Sequence, residues 1–100
     1  MAWKKYNFWV YMMASGRNGT IYVGVTNSLS RRVLEHKLKE KKGFTEKYDV
    51  ANLVYSEHHT YIINAIDREK EIKDLSRAKK IALIEVENIF WKDQSIDEGL

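Results

Sequence analysis

Tyr11, Tyr22, Arg32 and His36 have the types and spacing for chemistry on a phosphate. Arg32 and His36 stand four residues apart beside Leu29 and Val33, so on a helix they share an inward face at contact distance. An arginine fork binds a phosphate oxygen bidentately, and histidine moves a proton near neutral pH. Alone, such a histidine is usually a hydrogen-bonded core residue and such an arginine snorkels to water; the pairing is what points to chemistry. Tyr11 and Tyr22 flank the turn-forming run Ser15-Gly16-Arg17-Asn18-Gly19. Pairing Met13 with Thr20 across that turn puts Tyr11 opposite Tyr22 on one face of a hairpin, as a core aromatic pair or as part of a site. Gly24 packs nothing, and a strand glycine marks close approach by another backbone or by a ligand, with phosphate the first candidate.

A further anomaly is Glu69, which projects on the side of its helix that carries Ile62, Ala65, Ile66 and Ile72, while Asp67 and Glu71 project away. A carboxylate among apolar side chains costs several kcal/mol unless it is paired or holds a cation. Two accounts compete. An ion pair with Lys73 or Arg68 is the one that helical spacing favours. The other is ligation of a hard cation such as Mg²⁺, which takes one or two protein carboxylates and keeps several waters. Together these residues match the needs of phosphodiester hydrolysis: Glu69 to hold one metal ion, Arg32 to neutralise the non-bridging oxygens, and Tyr11 to position or deprotonate water with help from His36 or a cation. That help is needed because a phenol of pKa about 10 is a poor base at neutral pH.

These side chains must be positioned by a small set of elements. Residues 6–13 and 20–26 are rich in aromatic and β-branched residues around a turn, which predicts a β-hairpin. Helical spacing over residues 28–42, with Ser28 as N-cap and Lys41-Lys42-Gly43 at the end, predicts a first helix with a basic C-terminal end. Residues 52–57 read as a third strand, Thr60 as the cap of a second helix over 61–74, and Ser76 as the cap of a third. The third helix opens on Arg77-Ala78-Lys79-Lys80. Positive charge there opposes the helix dipole by a few tenths of a kcal/mol, so it serves something other than helix stability. The expected fold is α+β: a small three-stranded antiparallel sheet flanked by helices, in the order β-β-α-β-α-α.

Composition narrows the class. The chain has 100 residues, 44% hydrophobic and 31% charged, with no proline to mark a linker, so one domain over 1–100 is expected. Zero cysteines exclude a zinc ribbon, a redox pair, an iron–sulfur cluster and a thiol nucleophile, and fit a reducing interior. No apolar run follows the first lysines and none approaches membrane length, which leads to the expectation of a soluble, cytoplasmic protein. Residues 85–100 carry five acids and one base while residues 1–84 carry 16 bases and nine acids. A basic body with an acidic tail at about 92–100 suits a polyanionic partner, nucleic acid before membrane, although charge alone favours plain solubility.

Read as a whole, the sequence resembles the GIY-YIG nucleases, and among them the small standalone bacterial members. The resemblance rests on Tyr22-Val23-Gly24 with the run through Arg32 to His36, and on the block Ala65 to Lys73 followed by Ser76 to Lys80. It covers roughly residues 6–93. Trp9-Val10-Tyr11 stands where the first half of the signature reads Gly-Ile-Tyr, so the tyrosine is kept and the glycine is not. The resemblance implies that Tyr11 and Tyr22 are active-site tyrosines, Arg32 the catalytic arginine, His36 its helix partner and Glu69 the ligand of a single Mg²⁺ or Mn²⁺. Asn88 would be the asparagine that closes the site, with Ile89 after it where relatives often have proline. It further implies a metal-dependent endonuclease on DNA, RNA being left open, with branched, nicked or single-stranded forms in repair or recombination as candidate substrates. The alternative is a non-catalytic nucleic-acid-binding accessory protein of the same fold. Gly24, Lys37, Lys41, Lys42, Arg77, Lys79 and Lys80 are the expected nucleic-acid contacts.

Overall fold

A computed structural model describes residues 6–38 and 50–97, with side chains through 95. Strands β1 (Phe8–Ala14), β2 (Ile21–Thr26) and β3 (Asn52–His59) form one antiparallel sheet in the order β2-β1-β3. Helices α1 (Leu29–Lys37), α2 (Ile62–Asp74) and α3 (Arg77–Glu85) flank it, and a single turn, α4 (Gln94–Asp97), follows. This is the α+β architecture and element order that the sequence predicts. No helix among the described residues is long and apolar enough to cross a membrane.

Alternation along the strands divides the core into two layers. Val10, Met12, Ala14 and Val23 face Ala65, Ile72 and Ile84 of α2 and α3, with Trp91 closing that side. Tyr11 and Met13 face the other way, with Leu53, against Leu29 and Val33 of α1. A β-bulge at Val54 makes this division possible on β3, since Met12 pairs with Tyr55 and Met13 with Leu53. The extra residue turns both Val54 and Tyr55 toward α2 and α3 while Leu53 joins the α1 layer. Trp91 sits in the left-handed region at φ 59°, a conformation held here by burial of its ring and a 2.7 Å bond from its indole N–H to Glu85.

Several local expectations are corrected. The hairpin pairs Met13 with Tyr22 and Ala14 with Ile21, with Ser15 N–H bonded to the Thr20 carbonyl, so the register is displaced by two residues from the Met13–Thr20 pairing. Gly19 N–H to Gly16 O and Asn18 at φ 59° shape the loop inside the Ser15–Thr20 bond. Ser28 precedes α1 without a side-chain cap; Thr26 Oγ1 instead receives the Ser28 N–H and donates to the Ser28 carbonyl, in a turn that leads from β2 into the helix. Helix α1 ends at Lys37 with Leu38 as its C-cap, and residues 39–42 lie outside the described residues. Thr60 does not cap α2, which starts after an extended Tyr61 that forms no side-chain cap. Ser76 does cap α3, accepting from the Lys79 N–H at 3.2 Å. Strand β3 runs two residues further than expected, to His59.

Candidate active site

Tyr11 belongs to the central strand, Tyr22 to the edge strand beside it, and both project into the layer that α1 covers. A register shift of two preserves side-chain parity, so the tyrosines share a face as expected, but as diagonal neighbours with ring centroids 6.2 Å apart. Tyr11 is directly opposite Gly24. A Cβ at residue 24 would lie 2.6 Å from the Tyr11 hydroxyl and 2.7 Å from Cζ. The Tyr11 ring therefore lies over the bare glycine backbone, which accounts for Gly24 without a ligand.

Helix α1 delivers His36 into the same place. Its Nε2 is 3.2 Å from the Tyr11 oxygen, a hydrogen bond whose direction follows the imidazole tautomer. The imidazole also meets both phenol rings edge-on, at 5.8 Å from Tyr11 and 5.0 Å from Tyr22. Tyr11 is 1% exposed and His36 equally enclosed, whereas Tyr22 is half-buried. Burial drives the Tyr11 phenol well above its ordinary pKa; the neighbouring Tyr22 and Glu35 push in the same direction, and the opposing pull of Arg32 is too weak to reverse it. Tyr11 is thus shut away from bulk water, and Tyr22 is the phenol that solvent reaches.

One turn before His36, Arg32 holds Glu35 through Nη1 at 2.8 Å, while its Nε is buried without a hydrogen-bond partner among the described residues. A buried donor in that state costs roughly 1–3 kcal/mol, so the site holds an unused hydrogen-bond donor. The reading of the sequence missed Glu35, although Arg-x-x-Glu on a helix is a local ion-pair pattern. Arg31 projects to solvent and reaches back to Asn27 at 3.3 Å.

Glu69 lies on α2, in the layer on the opposite side of the sheet. Its side chain is 14% exposed and its carboxylate contacts Lys73 Nζ at 2.7 Å, the ion pair that spacing favours. Arg68, the other candidate partner, is engaged with Glu57 and Glu71. At the edge of β2 an open cleft of about 290 Å³ is lined by Ile21, Tyr22 and Val23 of the strand with Lys73 of α2 and Lys80 of α3. A metal ion fits the donor set. Lys73 already places a cation on the Glu69 oxygen, and its half-exposed side chain can leave. Among the described residues no three His, Cys, Asp or Glu converge, so only a water-rich hard cation is suited to this carboxylate.

Asn88 stands apart from this constellation. Its amide donates to the Val54 and Lys92 carbonyls at 3.1 and 2.9 Å, and its oxygen accepts the Lys92 N–H at 2.9 Å. It covers the outer edge of β3 at the bulge. Of the expected nucleic-acid contacts, Lys37 is held by Asp93 at 2.5 Å and by the Ala51 carbonyl at 3.0 Å. Arg77 donates to the Asn18 and Gly19 carbonyls, both at 2.7 Å, fastening α3 to the hairpin loop. Lys37 and the Arg77–Lys80 turn belong to helices on opposite faces of the sheet. Lys79 is exposed and Lys80 lines the β2 cleft; Lys41 and Lys42 lie outside the described residues.

Comparison with known proteins gives a consistent result. Residues 7–82 match the family model described as the GIY-YIG catalytic domain. A UPF0213 protein of Natronomonas pharaonis is 38% identical over 76 residues, which cover 76% of this chain and 88% of that protein. One from Staphylococcus saprophyticus is 32% identical over 68 residues, 68% of this chain and 83% of its own. The solution NMR structure of a UPF0213 protein from Bacillus halodurans superposes with a TM-score of 0.52 at 28% identity, over 82% of this chain and 86% of that one.

Proposed function

This chain belongs to the GIY-YIG nuclease family, and on that premise we propose that it is a divalent-metal-dependent endonuclease that hydrolyses phosphodiester bonds in DNA. The observation that supports the reading best is the convergence of Tyr11, Tyr22 and His36 beside an arginine whose Nε is buried and unsatisfied. An apolar core has no use for an unpaired guanidinium nitrogen, whereas a phosphate oxygen completes it.

Each residue has a distinct task in this reading. Arg32 releases or shares Glu35 and binds the non-bridging phosphate oxygens, where negative charge grows as the phosphorus–oxygen bond breaks. Tyr22, which reaches the cleft, orients the attacking water. Tyr11 does not touch substrate; it is a positioning residue whose hydroxyl fixes the His36 ring against Tyr22. His36, bonded to Tyr11 and packed edge-on against Tyr22, holds the two phenols in their relative orientation. Glu69 would hold Mg²⁺ or Mn²⁺, which supplies Lewis-acid stabilisation of phosphate charge when bound. The β2 cleft, with Lys80 on its wall, would take the nucleic-acid backbone, and a role in repair or recombination is compatible with such a compact site.

The test is a panel of labelled single-stranded, nicked, branched and duplex DNA, with matched RNA, incubated with the protein and with Glu69→Gln in Mg²⁺, Mn²⁺ or EDTA. Metal-dependent cleavage that disappears in the variant supports the proposal. Intact substrates throughout, with tight binding, would make the protein a non-catalytic nucleic-acid binder instead.

A further inference from the structure

Glu69 meets two demands that look incompatible: it must be neutralised in the folded protein, and it must be open to a divalent cation. The Lys73 ammonium sits 2.7 Å from the carboxylate while the lysine side chain is 54% exposed and the glutamate only 14%. The glutamate is thus the enclosed partner and the lysine the one open to solvent. Lys73 also lines the β2 cleft, with Tyr22 and Lys80 on the same walls. Lys73 therefore stands between the carboxylate and the cleft at once, and its four-carbon stem lets the ammonium turn from the one to the other with little backbone change.

Resting on the assignment of Glu69 to a metal ion, we infer that Lys73 is a displaceable counter-ion: it occupies the cation position on Glu69 in the metal-free protein and is exchanged for the divalent ion when that arrives. Exchange has two consequences. Metal binding is weaker than the bare carboxylate would give, because the ion must first break a partly buried ion pair. The released ammonium then joins Lys80 in the cleft beside Tyr22 and raises its attraction for a phosphate. Metal loading and backbone binding are coupled through one side chain, so that each favours the other. Lys70 does not serve the same purpose, being exposed and one residue along the helix from Glu69, where helical geometry turns it away.

Isothermal titration of the intact, metal-free protein with Mn²⁺ alone tests this without reference to cleavage. Lys73→Met keeps the apolar stem and removes the competitor, so Mn²⁺ should bind about twofold tighter or better, the lower figure being what an i,i+4 helical ion pair is worth. Lys73→Arg grips the carboxylate with a fork and should weaken Mn²⁺ by a similar factor. Glu69→Gln separates the two levels of the argument. If wild type binds Mn²⁺, Glu69→Gln does not, and both Lys73 variants match wild type, the counter-ion role is wrong while the metal site stands. If Glu69→Gln binds Mn²⁺ as wild type does, the ligand assignment itself fails. Binding that appears only in Lys73→Met would be the strongest support, and absence of binding in every variant would overturn the inference.

Discussion

The Tyr11 ring lies across Gly24 so closely that a single methyl group at residue 24 would fall 2.6 Å from the phenol oxygen. The glycine of the second signature half is therefore the seat of the tyrosine from the first half. This relationship reaches the rest of the site, because the same hydroxyl is 3.2 Å from His36 Nε2.

Gly24→Ala should displace the Tyr11 ring and break its contact with His36. Overpacking of a tight core usually costs about 1–3 kcal/mol. In a domain of this size each kcal/mol lowers the melting temperature by roughly 4–8 °C, so a fall of several degrees is expected, together with loss of cleavage measured well below the new melting point. A variant with wild-type melting and activity would mean that the ring does not rest on residue 24.

Arg32→Ala should reduce turnover by about a hundredfold or more while leaving substrate binding within a few-fold, since its charge matters most as phosphate charge grows in the transition state. Glu35→Ala, which frees the guanidinium from its 2.8 Å partner, should not copy that loss. Arg31→Ala is the surface control, since Arg31 is exposed and reaches back to Asn27 at 3.3 Å. Equal losses of binding and turnover in Arg32→Ala would reduce the arginine to a positioning contact.

Among the described residues, sequence periodicity located each strand and long helix because those patterns are local. Its successes survive even its error at the hairpin: a register displaced by two leaves each side chain on the same face, so Tyr11 and Tyr22 still meet. Contacts decided over long range were not legible. Lys37 and Arg77 look like free phosphate contacts until the chain brings Asp93 to one and the Asn18 and Gly19 carbonyls to the other, more than 50 residues away in each case. Asn88 was legible as a special residue, but its use at the β3 bulge depends on Val54 and Lys92. The burial of Tyr11 was equally out of reach, since it depends on α1 folding over the hairpin.

A network on β3 and α2 sets the pH range of the fold. Glu57 accepts from Tyr55 and from Arg68 and is bonded to His59 at 2.9 Å. Burial would raise its pKa, but these hydrogen bonds outweigh burial and hold it below its usual 4.5. Its contribution to stability is therefore present above pH 4.5 and lost as pH falls through the lower folded value. Burial, followed by the bond to Glu57, pushes Tyr55 up to about 12; that contribution is present below the phenol's ordinary value of 10 and lost as pH rises toward 12. Melting followed by circular dichroism should fall at both ends. Glu57→Gln should flatten the acid limb and Tyr55→Phe part of the alkaline limb; unchanged limbs in both variants would dissolve the network.

The nucleic-acid surface can be separated from structural lysines by salt. Each phosphate neutralised by a lysine contributes about 0.7 to 0.9 to the slope of log affinity against log salt. Lys80 lines the cleft beside Tyr22, so Lys80→Gln should lower the slope by about that amount and leave melting unchanged. Lys37 is committed to Asp93 and the Ala51 carbonyl, where it ties α1 to the start of β3, so Lys37→Gln should lower the melting temperature and leave the slope alone. Asp93→Asn should lower melting in the same way, and combining it with Lys37→Gln should cost less than the sum of the two single changes, as expected for partners in one interaction. The opposite pattern, with the slope responding to Lys37 and not to Lys80, would move the bound backbone to the α1 side of the sheet and away from the cleft.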